Sequence, residues 1–291
     1  MIALATLLGV SAARGDQPRE ENWKRCGRDN PERVIEACSA LIQSGQDTGI
    51  NLASDFYDRG FAYEHKGEYD PAIQDYDQAI RLNANLAKAF YGRGRAYANK
   101  GDPGRAIQDY DQALRIDPSY ANALIVRGNA YALIRDYDHA IQDFNQVVHL
   151  NPKSADAFYN RGRIYEYTGE FALAIPDYDQ ALALKPGDAD AFCGRGWAYA
   201  QNGDYASAIR DYDQALLINP KYVRALANRR AAYARSGNYL RAMADYGDLL
   251  WLRFGILGIA IRLCILALVV ALALRLNLKR FRKDPGTVHQ A

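Results

Sequence analysis

Residues 90–118 read FYGRGRAYANKGDPGRAIQDYDQALRIDP. Phe90, Tyr91, Gly94, Tyr97 and Ala98 follow helical spacing, and Ala106, Ile107, Tyr110, Ala113 and Leu114 take it up again. Between the two segments stands Gly101, where a left-handed C-cap carries no steric cost for glycine. Pro118 follows the second segment, because proline cannot continue a helix and restricts the residue before it. The stretch predicts two amphipathic helices joined by a tight turn. One such pair cannot bury its apolar face, but stacked pairs can.

Outward from this stretch the same residues recur every 34 positions. Glycine stands at 60, 94, 128, 162 and 196; tyrosine at 63, 97, 131, 165, 199 and 233; alanine at 72, 106, 140, 174, 208 and 242. Arg230 replaces the glycine of a sixth copy. The turn glycine recurs as Gly67, Gly169, Gly203 and Gly237, and the closing proline as Pro152, Pro186 and Pro220. The 21 tyrosines and 23 glycines, against two methionines, are the trace of this copying. Small residues at the Gly60 and Ala72 positions allow close helix approach, with Tyr76, Tyr110, Tyr178 and Tyr212 packed around them. Two departures stand out: Arg135 replaces a turn glycine, and Pro176 lies in the first turns of a second helix, where a slight bend is expected over 172–178.

The pattern Phe-x3-Gly-x2-Tyr, then Ala, Tyr or Phe, Ala and Pro resembles the tetratricopeptide repeat, and it covers 53–256 in six copies. The 34-residue period is the family's own. The resemblance implies an all-α fold, an α-solenoid of stacked helix-turn-helix units, with ligands held on the face lined by the first helices. At the family's ligand-contacting positions this chain carries Tyr57, Phe61, Tyr91, Arg95, Asn129, Tyr159, Asn160, Arg163 and Trp197. These differ from copy to copy, as suits a surface that reads one partner, although a solvated face also drifts. The lysine and asparagine clamp that some members use for chaperone C-termini is not reproduced.

Two further series are complete: Arg59, Arg93, Arg127, Arg161, Arg195 and Arg229, and Asp75, Asp109, Asp143, Asp177, Asp211 and Asp245. They predict either an arginine track for an acidic ligand or an arginine–carboxylate ladder joining helices. Equal numbers in step favour the ladder, since unpaired charges near a core are costly.

The ends differ from the repeats. Residues 1–19 form a signal-like segment, with an apolar run from Ile2 to Val10 before Ser11, Ala12 and Ala13, though without a charged leading region. Residues 20–52 read as a half-repeat cap and linker, resembling the lead-in of exported bacterial members of the family; Cys26 and Cys38 there are expected to form a disulfide in an oxidising compartment, the alternative being buried thiols. Residues 254–274 hold one ionisable residue, Arg262, and at 1.5 Å per residue reach roughly 31 Å. Their 13 Leu, Ile, Val and Phe residues favour insertion by about 4 to 8 kcal/mol, against about 2.5 to 3.5 for the arginine. A transmembrane helix is therefore expected over 254–274, the rival being a seventh repeat or cap. Arg275, Lys279, Arg280, Arg282 and Lys283 follow, which by the positive-inside rule makes 275–291 a cytoplasmic tail and puts the repeats on the extracytoplasmic side, in the periplasm or its equivalent.

Chemistry has little room. His65, His139, His149 and His289 show no ligand or triad spacing, and no phosphate loop or nucleophile motif is present, so no catalytic residue, metal or cofactor is expected. A formal net charge of +2 lacks the excess of a nucleic-acid binder. The expected function is a membrane-tethered scaffold for a protein or peptide partner, with a structural subunit of an envelope or secretion assembly as the alternative.

Overall fold

The computed structural model describes residues 30–254, and the chain divides into two units between Asn160 and Arg161. The described residues form thirteen α-helices and no strand. Unit 1 contains α1 (Pro31–Ser44), α2 (Gly49–His65), α3 (Tyr69–Leu82), α4 (Ala87–Asn99), α5 (Pro103–Ile116), α6 (Ala121–Leu133), α7 (Tyr137–Leu150) and the first turns of α8 (Ala155–Thr168). Unit 2 contains the rest of α8, then α9 (Phe171–Leu184), α10 (Ala189–Gln201), α11 (Tyr205–Ile218), α12 (Val223–Arg235) and α13 (Tyr239–Phe254). Within each unit successive helices pack together, and so do the first helices of adjacent pairs, α2 with α4 and α10 with α12. That is the local arrangement of an α-solenoid.

The turns form as the sequence requires. After α4, Gly101 takes φ +82, and its N–H and that of Asp102 donate to the carbonyls of Ala98 and Tyr97 at 2.9 and 3.0 Å. Those two bonds satisfy carbonyls that the helix end would leave open. Asp102 then caps α5, its carboxylate accepting from the Arg105 N–H at 3.0 Å, with Pro103 at the first helical position. Arg135 adopts the same left-handed conformation without the benefit of glycine, at φ +63. Pro176 is accommodated inside α9, which runs unbroken from Phe171 to Leu184.

Small residues set the spacing. A Cβ on Gly94 would lie 2.6 Å from a ring carbon of Tyr110 and 3.1 Å from the Ala106 carbonyl oxygen. Ala72, Tyr76, Ala106, Tyr110, Ala174, Tyr178, Ala208 and Tyr212 are all essentially unexposed, so each pair has a core of alanine backing one large ring.

The first helix of the first full repeat extends one turn ahead of residue 53, the position in register with the helix starts at Ala87, Ala121, Ala155, Ala189 and Val223: Thr48 is extended (φ −136, ψ 160) and α2 starts directly after it, leaving a short connection from α1. The half-repeat itself is α1, with Ala37, Cys38 and Leu41 buried. The signal-like segment, Cys26 and all of the expected span except Phe254 lie outside the described residues. Among the described residues no helix is long and apolar enough to cross a membrane.

Candidate protein-binding site

The complete arginine series faces inward, onto the aspartates. Arg59, Arg93, Arg127, Arg161, Arg195 and Arg229 each donate from Nε and Nη2 to both oxygens of Asp75, Asp109, Asp143, Asp177, Asp211 and Asp245, at 2.6–3.0 Å. These forks join the two helices of each repeat. Nη1 of Arg93, Arg127, Arg195 and Arg229 reaches back to the preceding repeat, onto Asp77, Asp111, Asp179 and Asp213, at 2.5–2.7 Å. Burial works against the Arg93 charge, but its bonds to Asp109 and Asp77 outweigh that and raise its pKa. The ladder reading holds, and these guanidinium groups are engaged in the scaffold instead of lining a ligand track.

In unit 1 the predicted contact residues of α2 and α4 come together. The Tyr57 and Phe61 rings stack at 6.3 Å, with Phe61 exposed and Tyr57 half-buried, and Lys88 Nζ sits 4.3 Å above the Tyr57 ring. Tyr91 packs on Tyr120 at 5.0 Å and on Tyr110 at 6.2 Å, and the Arg95 guanidinium lies 5.6 Å over the Tyr91 ring. Arg95 also ties the two helices together through Glu64, Nη2 to Oε1 at 2.8 Å. That approach is an ion pair outside the direction of a good hydrogen bond, whereas the Tyr76 hydroxyl donates to Oε2 at 2.9 Å. Burial raises the Glu64 pKa against the opposing charge of Arg95 and the Tyr76 bond. Burial likewise pushes the Tyr120 hydroxyl up to about 12. The result is an aromatic surface carrying two cations, one over a ring and one held by a reluctant carboxylate.

The remaining predicted residues lie on later helices. Asn129 is exposed on α6, while Tyr159 and Asn160 are half-buried in the first turns of α8. Arg163 and Trp197 belong to unit 2, so the nine residues fall into separate units. Arg163 lies 5.7 Å over the Tyr167 ring and donates to its hydroxyl at 3.0 Å; Trp197 is half-buried on α10. Unit 2 repeats the acid–tyrosine pair, with Tyr178 donating to Glu166 at 2.7 Å. Cys193, at the repeat position of Tyr57, Tyr91 and Tyr159, is completely buried, and burial raises its thiol pKa, which removes it as a nucleophile.

Glu64, Lys88, Tyr110 and Tyr120 were not among the predicted contacts. A signal for the acid exists: at its repeat position the chain reads Glu64, Ala98, Ala132, Glu166, Ala200 and Ala234, so two carboxylates interrupt an alanine series. Among the described residues no group of three or more histidines, cysteines or carboxylates is placed to hold a metal ion.

Comparison with known proteins gives the same pattern. Tetratricopeptide repeat models match 60–101, 87–120, 125–189 and 189–222, together more than half of the chain. No curated protein matches. Among solved structures, MamA is 29% identical, with a TM-score of 0.53 over 56% of this chain and 95% of its own. YrrB, described as a tetratricopeptide protein with an unusual peptide-binding site, is 24% identical with a TM-score of 0.57, covering 66% of this chain and 97% of its own. A tetratricopeptide repeat protein from Parabacteroides merdae is 19% identical with a TM-score of 0.62, covering 86% of this chain and 97% of its own, a likeness of fold alone. With its period, its paired helices and these matches in agreement, the chain belongs to the tetratricopeptide repeat family of protein-interaction scaffolds.

Proposed function

We propose that this protein captures an extended peptide segment of a partner protein on the Tyr57–Phe61–Tyr91–Arg95 face, and that it does so tethered to a membrane with the repeats on the extracytoplasmic side. The observation that carries the binding reading is the half-exposed aromatic surface of α2 and α4 with Arg95 set between the Tyr91 ring and buried Glu64. Rings at Tyr57, Phe61 and Tyr91 give an extended chain apolar contact, and the Arg95 fork can exchange Glu64 for a carboxylate of the partner. Affinity is modest, because ordering a flexible peptide opposes binding. YrrB shares the fold and is described as having a peptide-binding site, which agrees with this use of the architecture.

The tether rests on the sequence of 254–274 and the basic run after it. Topology is tested by reporter fusions: one active only in the cytoplasm at Ala291, one active only outside it placed after Gly187, in the exposed turn between α9 and α10. Both are expected to be active. Silence from both, or recovery of the full chain in the soluble fraction without detergent, refutes the tether. The binding face is tested separately, by partner capture with the double variant Tyr91→Ala, Arg95→Ala; a loss of about 2 kcal/mol at unchanged helical content is expected. Undiminished capture refutes it.

A further inference from the structure

Large apolar side chains stand in solvent on one edge of unit 2. Leu217 is 75% exposed and Ile218 43% exposed at the end of α11, and Val223, 54% exposed, opens α12 across the turn 219–222. Ile218 belongs to a series that is apolar throughout, with Leu82, Ile116, Leu150 and Leu184 before it. Packing does not call for the other two. At the position of Leu217 the earlier copies carry Arg81, Arg115, His149 and Ala183, all exposed, and the sixth copy carries tryptophan. The series therefore turns from charged to apolar along the chain, at a position that the first five copies leave in solvent. At the position of Val223 the earlier copies carry Ala87, Ala121, Ala155 and Ala189, so the valine adds apolar surface beyond what the scaffold uses.

The course of the helices places this edge. Short turns join α11 to α12 and α12 to α13, and successive helices pack together, so α11 and α13 run in the same direction. The C-terminal end of α13 therefore lies on the edge that carries Leu217, Ile218 and Val223. By register Leu252 is the counterpart of Ile218, and Phe254 stands two residues on, about 3 Å along a helix. The earlier second helices stop at Leu82, Ile116, Leu150, Leu184 and Ile218, whereas α13 continues past that position to Phe254. Where Pro118, Pro152, Pro186 and Pro220 follow the earlier second helices, the chain has Phe254, the first residue of the apolar run 254–274. No linker residues separate the last repeat from that run.

We infer that the 217–223 edge of unit 2 seats in the lipid interface, with Leu217, Ile218 and Val223 dipping among the headgroups. The inference rests on the reading of 254–274 as a membrane span, which holds this edge at the bilayer surface. Exposed Lys221 lies between the apolar residues, and its aliphatic stem can lie along them while its ammonium stays at the level of the phosphates. The Tyr57–Arg95 face belongs to unit 1 and takes no part.

The test uses the full chain reconstituted in vesicles of phosphatidylcholine and phosphatidylglycerol. A photo-activated crosslinking residue is placed at 217 or, on the opposite edge of unit 2, at exposed Asn202 in the turn after α10, and adducts are identified by mass spectrometry. Lipid adducts from 217 at several times the yield from 202 are expected. Equal yields, or no lipid adduct from 217, overturn the inference, and a discrete protein adduct from 217 in host cells overturns it in favour of a partner protein. Flotation of the same vesicles separates the edge from the tether: a chain that floats without a lipid adduct at 217 refutes the edge alone, whereas a chain that does not float refutes both. With the probe at 223, Leu217→Glu is expected to cut the lipid yield several-fold at an unchanged melting temperature, since position 217 is exposed. An undiminished yield overturns the part given to Leu217.

Discussion

At the residue scale, what matters is which glycines a neighbour touches. Gly94 faces the Tyr110 ring and the Ala106 carbonyl, so a methyl there has to displace a ring body and a backbone atom. A methyl on Gly104, in the first turn of α5, would meet only Asp102 Oδ1 at 3.7 Å, an ordinary contact. Gly94→Ala is expected to cost about 1 to 3 kcal/mol by overpacking. Gly104→Ala is expected to gain about 0.5 to 1 kcal/mol, because alanine loses less freedom in a helix. Denaturant unfolding of both variants checks the pair, and equal effects would contradict the packing described. The Gly94 contact was legible from the period, since glycine recurs where two helices must meet. Glu64 was less so, because at its repeat position only Glu166 shares the carboxylate and the other four copies carry alanine, so contrast with the series and not the period marks it.

Glu64 also gives a pH dependence with a definite sign. Its folded pKa is raised, chiefly by burial, with Arg95, the Tyr76 hydroxyl and His65 acting the other way. A raised pKa means that the folded state holds the proton more firmly than the unfolded chain. The contribution is therefore full below the ordinary glutamate value and lost as pH rises through the folded value. Glu64→Gln removes this term while leaving an acceptor for Tyr76, so the fall in stability just above the ordinary carboxylate range is expected to flatten. An identical pH profile in the two proteins would show that Glu64 is not held in this way.

At the scale of helices, the Arg–Asp forks carry most of what is specific to this chain. Asp109 is only 4% exposed and burial raises its pKa, so it relies on Arg93 to remain charged. Arg93→Ala strands that carboxylate and is expected to destabilise by about 3 to 5 kcal/mol, whereas a rim charge costs far less. Because a protonated Asp109 needs no counter-charge, the deficit is expected to shrink in acid, and urea unfolding across pH measures it. A deficit that stays constant with pH would contradict the pairing. The ladder was legible as one of two readings, since two complete series in step suggest mutual neutralisation. Its second rung, from Arg93 to Asp77 of the preceding repeat, was legible only as the general alternative of a ladder between neighbouring repeats, because Asp77 recurs as Asp111, Asp179 and Asp213 but gives way to Asn145.

At the scale of the whole chain, the 34-residue period made the helix pairs legible, since each copy repeats its turn glycine and its small contact residues. The division between Asn160 and Arg161 was not, because the period passes through α8 without a change of register. Of the nine predicted contacts, Tyr57, Phe61, Tyr91 and Arg95 form a surface within unit 1, and Arg163 and Trp197 belong to unit 2. The central claim is that this surface, on α2 and α4, is where a partner is held. The most direct measurement places a photo-activated crosslinking residue in the full chain, in cells of its native host, at Phe61 in one strain and at exposed Gln108 on α5 in another. One discrete adduct from position 61, lost when Tyr91→Ala and Arg95→Ala are added, and none from position 108, is the expected result; no adduct from 61, or the same adduct from both positions, would contradict the account.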